Sequence, residues 1–262
     1  MTTTDRPPTK RRRWRWGRLL FAALVLAAVA AVVDAVVVEP QWVKVRRVRL
    51  TPAPSCRIVQ FSDLHYRGDR AALERVVARI NALDADVVCF TGDLVEDDAF
   101  LPEVLAILGT VNKPLYGIPG NHDIWSARDD AAAVEAFART GGRWLADGSV
   151  LTGKGVTLVG GVRAGQQAAP AAPGERWVLL LHDPRQVKSL GDQHFNLILA
   201  GHTHGGQLRI PFVWRRLLPD IAEYDRGLFQ TPAGPLYVNP GLGTFMIQAR
   251  FACRPEITVL EF

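Results

Sequence analysis

Cysteine is scarce in this chain, and its few copies form no pattern. Cys56, Cys89 and Cys253 are the only three in 262 residues. None has the spacing of a thiolate metal clip, and three are too few for a disulfide-built scaffold. Internal repeats and long interior linkers are also missing, so one domain of just over two hundred residues accounts for most of the length. A single-signed charge is absent from that domain. Residues 1–18 carry Arg6, Lys10, Arg11, Arg12, Arg13, Arg15 and Arg18 against Asp5, a net +6, while the whole chain is +5. The remainder therefore sums to −1, which gives no support for a nucleic-acid groove on the folded part.

Long apolar runs are missing too, with one exception. Leu19–Val38 is apolar except for Asp34, and about twenty residues suffice to cross a bilayer as a helix. The basic tail before it predicts a cytoplasmic N-terminus and everything after the span outside. Lys44, Arg46, Arg47 and Arg49 follow the span and weaken the asymmetry without reversing it. A cleaved signal peptide is the rival reading, with a small-residue site at Ala28-Val29-Ala30. Arg11-Arg12-Arg13-Trp14 also admits twin-arginine export. A retained anchor is favoured, because the apolar run continues past the small-residue site. Residues 1–18 are then a basic tail, 19–38 the anchor or signal segment, 39–54 a connector with room for one strand, and 55–262 the domain.

Histidine is present in six copies, and five of them sit in short polar motifs. The motifs are Asp63-Leu64-His65, Gly92-Asp93, Gly120-Asn121-His122-Asp123, the lone His182, and Gly201-His202-Thr203-His204. Each follows a short apolar run: Arg57–Phe61, Asp86–Phe90, Pro114–Ile118, Trp177–Leu181 and Asn196–Ala200. Runs of this kind read as strands buried on both faces. In open α/β sheets, ligands bind beyond the carboxyl ends of the strands. Read as ligands, the motifs offer two Asp, one Asn and four His, a mixed oxygen and nitrogen set suited to first-row divalent cations. His194 lies ahead of a strand and reads as a surface residue.

This ordered series resembles the calcineurin-like metallophosphoesterases over roughly Arg57–Phe262. Ser62-Asp63-Leu64-His65, Gly201–Gln207 and Asn239-Pro240-Gly241-Leu242-Gly243 with Arg254-Pro255-Glu256 are similar to its bacterial membrane-anchored branch. The resemblance implies an α/β fold, a four-layer αββα sandwich, here with an N-terminal transmembrane helix. It implies two divalent cations: Mn first, with Fe, Zn, Co or Mg as alternatives. Asp93 would be shared between them. Asp63, His65 and His204 would hold the first, and Asn121, His182 and His202 the second. It implies hydrolysis of a phosphate ester, with His122 as general acid or as a donor to transition-state oxygens. Asp123, Glu96 and Asp97 are all open as the carboxylate that orients His122.

Helices are expected near Arg70–Leu83, Phe100–Leu108 and Arg128–Thr140. Strands are expected at Val156–Val162, Arg176–Leu181, Phe195–Ala200, Gln207–Ile210, Leu236–Asn239 and Ile257–Phe262, with a loop at Gln166–Gly174. An outside location leaves room for a Cys56–Cys253 disulfide. Ile210–Pro219 mixes large apolar side chains with Arg215 and Arg216, so it is either a lipid-facing rim or a loop packed on its own domain. A membrane-held phosphodiesterase for a lipid-linked or envelope substrate is the leading function. A UDP-sugar-lipid pyrophosphatase and a non-catalytic metal-dependent scaffold are the alternatives. The sequence leaves the oligomeric state open.

Overall fold

Short strands of two to six residues, most of them apolar and the first ones separated by helices, dictate the architecture. The structure, a computed structural model, describes residues 10–126, 129–161 and 175–262. It opens with α1 (Lys10–Val33), which continues through a π-helical turn at Asp34–Val38 and a 3-10 turn at Glu39–Gln41. The segment Trp14–Gln41 has a mean hydropathy of 2.7 in its most apolar stretch, none of it buried.

Two six-stranded sheets follow. The elements are β1 (Lys44–Arg49), β2 (Arg57–Phe61), α2 (Arg70–Ala82), β3 (Val87–Phe90), α3 (Leu101–Leu108), β4 (Leu115–Gly117), α4 (Asn121–Trp125), α5 (Ala131–Arg139), β5 (Arg143–Trp144), β6 (Gly148–Leu151), β7 (Val156–Gly160), β8 (Arg176–Leu180), β9 (Leu197–Ala200), α6 (Trp214–Leu217), α7 (Pro219–Ala222), β10 (Gly227–Thr231), β11 (Gly234–Val238) and β12 (Glu256–Glu261). The first sheet runs β1-β12-β2-β3-β4-β5 and the second β10-β11-β9-β8-β7-β6.

Strand alternation assigns each side chain to a layer. Ile58, Cys89, Tyr116, Leu158, Val178, Leu180, Leu199 and Leu260 point inward and fuse the two sheets through one core. Val59, Phe61, Val88, Phe90 and Val259 point outward, against Leu73, Val76, Val77 and Ile80 of α2, Val104 and Leu108 of α3, and Phe137 of α5. Trp177, Leu179, Ile198 and Val238 form the other outer face, covered by Val187, Leu190 and Phe195. That cover is a 3-10 turn at Pro184–Ser189 plus loop, thinner than the helical layer opposite. The layering is the αββα sandwich expected from the sequence.

Some local expectations change. Gln207–Ile210 is not a strand; Leu208 makes only an isolated bridge to Phe251. The edge strand β10 was not expected, nor was the short α4. β1 lies inside the 39–54 connector and pairs in parallel with β12 from Lys44↔Glu256 to Arg49↔Glu261. Arg128, Val162 and the loop at 166–174 lie outside the described residues. The conceivable Cys56–Cys253 disulfide is not formed: all three cysteines are free and buried. Cys56 belongs to the core between the sheets, while the Cys253 thiol donates to the carbonyls of His204 at 3.2 Å and Gly205 at 3.4 Å.

Candidate metal centre

Parallel pairing turns five strand ends toward one edge. β2, β3 and β4 run parallel in one sheet, and β8 and β9 run parallel in the other. Asp63 and His65 leave the end of β2, Asp93 the end of β3, and Asn121 and His122 the end of β4. His182 leaves β8, and His202 and His204 leave β9. Backbone bonds sew the two edges together: Leu242 N donates to Ser62 O at 2.9 Å and Gly243 N to Asp63 O at 2.7 Å.

The ligand atoms of Asp63, His65 and His204 lie within 4.8 Å of one another, as do those of His65, Asp93 and His122, and those of Asp93, His182 and His202. Asp93 Oδ2 is 3.4 Å from His65 Nε2 and 3.2 Å from His182 Nε2. Asn121 Oδ1 lies 2.8 Å from His182 Nε2, and His202 Nδ1 lies 3.1 Å from that same nitrogen. His204 Nε2 is 3.8 Å from Asp63 Oδ1. The seven ligands expected from the sequence and His122 thus converge. His194 does not: it is exposed before β9, at the end opposite His202, with Nδ1 on Pro232 O at 3.2 Å.

The backbone is bent to achieve this. Asp63, His65, Asp93, His202 and His204 all have positive φ, between 40° and 69°. Left-handed backbone costs a non-glycine residue about 1–2 kcal/mol, so strain is concentrated at the site. Gly120 shows how tight the packing is. A Cβ there would lie 2.1 Å from Asp93 Oδ1, so only glycine lets β4 deliver Asn121 and His122 beside Asp93.

Outer partners fix two of the rings. His182 Nδ1 donates to Thr91 O at 2.8 Å, which leaves Nε2 to face the cluster. His65 Nδ1 donates to Glu96 in the same way. Asp63 accepts from His202 N at 2.9 Å, and Asp93 Oδ1 accepts from His122 N at 3.0 Å. Three carboxylates were open as the partner of His122, and geometry separates them. Asp123 is buried and accepts from the backbone nitrogens of Asp93, Leu94 and Gly120, so it builds the loop. Asp97 caps a 3-10 turn through Ala99 N. Glu96 Oε1 lies 3.9 Å from His122 Nδ1, so it is the one that faces His122.

Burial and charge pull the titrating groups apart. Burial pushes Asp63 up to about 7 against the opposing pull of His182. Burial also opposes ionisation of Asp93, but the hydrogen bond and charge of His182 hold it well below the usual carboxylate range. His182 itself, although desolvated, is raised to about 9 by Asp93. Burial drops His65 to about 4 and His204 well below its ordinary value. His204 Nδ1 is buried with no hydrogen-bond partner. The neutral imidazoles of His65 and His204, anionic Asp93 and an amide oxygen aimed at common points form a donor set that fits divalent cations, and a cation would displace the proton that Asp93 holds on His182.

Residues 56–206 match the calcineurin-like phosphoesterase family. The chain belongs to that family. It is therefore a phosphoric-ester hydrolase of a family that uses divalent metal ions. This phosphoesterase is 33% identical over 227 residues to the uncharacterized metallophosphoesterase YkuE of Bacillus subtilis, covering 78% of this chain and 77% of that one. It is 28% identical to the phosphodiesterase YaeI of Escherichia coli, covering 85% and 89%. It is 26% identical to the UDP-2,3-diacylglucosamine pyrophosphatase LpxG of Chlamydia muridarum, covering 91% and 95%.

Several neighbours of the centre were not read from the sequence. Phe245 places its ring 5.8 Å from His65 and 5.1 Å from His122. Arg250 is fully buried and donates to the carbonyls of Pro240, Gly243 and Cys253, shaping the loop under the site. Asp183 Oδ2 lies 3.8 Å from His202 Nε2. Asp183 adjoins His182, which was the available signal. Phe245 and Arg250 lie between Asn239–Gly243 and Arg254-Pro255-Glu256, outside the five polar motifs, and no metal-ligand spacing marks them.

Proposed function

We propose that this phosphoesterase is a two-metal phosphodiesterase acting on a lipid-linked or envelope substrate, with its catalytic domain held outside the cytoplasm by a single N-terminal span. The observation that carries this reading is the position of Asp93, whose one oxygen faces a cluster on each side. Asp63, His65 and His204 would hold one ion and Asn121, His182 and His202 the other, with Mn favoured by a donor set free of thiolate. Two bound cations supply Lewis acidity to phosphoryl oxygens and acidify the attacking water. His122, beside the cluster and facing Glu96, is placed to give a proton to the leaving oxygen. The strand-end scaffold holds these groups before substrate arrives, which is where such sites gain rate.

The full chain, purified in detergent and loaded in turn with Mn, Fe, Zn, Co or Mg, would be tested on phosphomonoesters, phosphodiesters, nucleotide-sugar lipids and phospholipids. Turnover of diesters, highest with Mn, is expected. Tight metal binding without turnover on any of these classes would move the protein to the scaffold reading. The likeness to LpxG over nearly its full length favours one second reading, a nucleotide-sugar-lipid pyrophosphatase. It requires a cytosolic substrate, so the side of the membrane decides between the two.

A further inference from the structure

The anchor helix does not end in a loose tether. Arg250 N donates to Ala35 O at 2.8 Å, and the buried Glu39 carboxylate accepts from Ala252 N at 2.8 Å and from Cys253 N. Arg254 stacks on Trp42 at 3.8 Å and donates to its carbonyl. The domain end of the span is thus fixed against the loop that borders the metal centre.

A cavity of about 310 Å³ lies in the angle so formed. One wall is apolar: Val36 from the end of the span, with Leu73 and Val76 from α2. Another carries three guanidinium groups, Arg67, Arg75 and Arg79. His65 also lines it, so the cavity abuts the metal centre. Arg67 leans on Glu96 at 3.5 Å, and Glu96 holds His65. Among the described residues, Arg75 and Arg79 pair with no carboxylate; Arg79 donates to Val43 O at 2.7 Å. Its volume lies at the small end of the range of ligand pockets, about 300–1,000 Å³.

We propose that this cavity is a subsite for an anionic glycerophospholipid. The first methylenes of an acyl chain lie along Val36, Leu73 and Val76. The arginines meet the anionic headgroup, and the phosphate ester reaches the centre past His65. One fact favours a lipid over a soluble anion, and a second favours phosphate as the anionic group. The apolar wall includes the anchor itself, so a lipid would enter sideways from the leaflet without crossing water. The basic groups are arginines, whose planar forks match phosphate oxygens. The inference rests on the membrane-anchored phosphoesterase reading.

The test uses the full chain in nanodiscs containing phosphatidylglycerol whose acyl chain bears a diazirine near the glycerol. After photolysis, labelled peptides are mapped by mass spectrometry. Labels on residues 70–79 and 36–43 are expected. Ala72 also lines the cavity, and Ala72→Trp is expected to abolish the label on α2. In the same variant, the ratio of kcat/KM for long-chain over dibutyroyl phosphatidylglycerol falls about tenfold. Arg75→Glu, a surface change that leaves packing intact, is expected to weaken the label without removing it. Labels confined to residues 14–33 overturn the proposal, as does an unchanged chain-length ratio in Ala72→Trp. Labelling in the cavity with no lipid hydrolysed keeps the subsite and sinks the lipid-substrate reading. Hydrolysis without labelling does the reverse.

Discussion

His204 Nε2 lies 3.0 Å from His65 Nε2, and no charge makes that approach attractive. The ring proton of His65 is committed to Glu96 through Nδ1, so its Nε2 offers a lone pair. Burial keeps both rings neutral at pH 7, with His65 down at about 4 and His204 well below its ordinary value. A neutral His204 can give its Nε2 proton to that lone pair, and two buried ring nitrogens facing one point form the arrangement that ligands of one cation adopt once that proton leaves. His204→Ala is therefore expected to cut bound metal to roughly half of wild type, whereas Asp93→Ala, which removes the group shared in two-metal sites, should lose both ions. Elemental analysis of the purified variants measures this. Full metal content in Asp93→Ala would sink the shared-ligand assignment.

His122 is expected to separate binding from chemistry. His122→Ala should keep its metal and lose turnover by about 10²–10⁴-fold, the range for a missing general acid. The loss should shrink on a p-nitrophenyl diester, whose leaving group needs no proton. Equal losses on good and poor leaving groups would make His122 a phosphate-positioning group instead.

The thiols should be silent in the folded protein. Burial pushes Cys56 up to about 11, with the nearby Asp86 carboxylate adding to it, and raises Cys89 as well. Only the thiolate reacts, so a raised pKa means little thiolate at pH 8. Ellman's reagent should report no rapid reaction in the native state and three thiols per chain in denaturant, matching the three free cysteines. A count of one in non-reducing denaturant would mean that a disulfide forms after all.

Sidedness is checked by a reporter fused after Phe262. Seven basic residues precede the span, so a phosphatase reporter that works only outside should be active and a cytoplasmic one silent. The opposite pattern would promote the pyrophosphatase reading.

The clamp between anchor and domain has its own test. Glu39→Ala strips partners from two backbone N–H groups, Ala252 and Cys253. An unsatisfied buried donor costs about 1–3 kcal/mol, so thermal unfolding in detergent should shift down by several degrees. An unchanged midpoint would mean that these bonds contribute nothing.

The sequence made the centre legible because buried parallel strands leave continuous apolar runs, and the chemistry follows each run directly. Arg57–Phe61 and Asn196–Ala200 needed no tertiary information. Other parts did. β1 reads Lys-Val-Arg-Arg-Val-Arg, a charged edge strand that looks like a connector until β12 pairs with it. β10 alternates exposed and part-buried residues and has no apolar run. Gln207–Ile210 has strand-like letters, but the backbone turns at Gln207, where φ is 40°. Choosing Glu96 over Asp123 and Asp97 required distances. The role of Glu39 was equally hidden, because a lone carboxylate beside a membrane span ordinarily faces water.

A catalytic unit clamped to its own anchor cannot swivel. The bonds of Ala35 and Glu39 to the 250–253 segment fix the metal centre relative to the N-terminal helix. In a bilayer, such an enzyme searches in two dimensions. With the proposed lipid-linked substrate, its rate follows the mole fraction of substrate among neighbouring lipids, not the amount dissolved in the surrounding volume. Diluting substrate with inert lipid slows it, while diluting the whole suspension with buffer leaves its turnover unchanged.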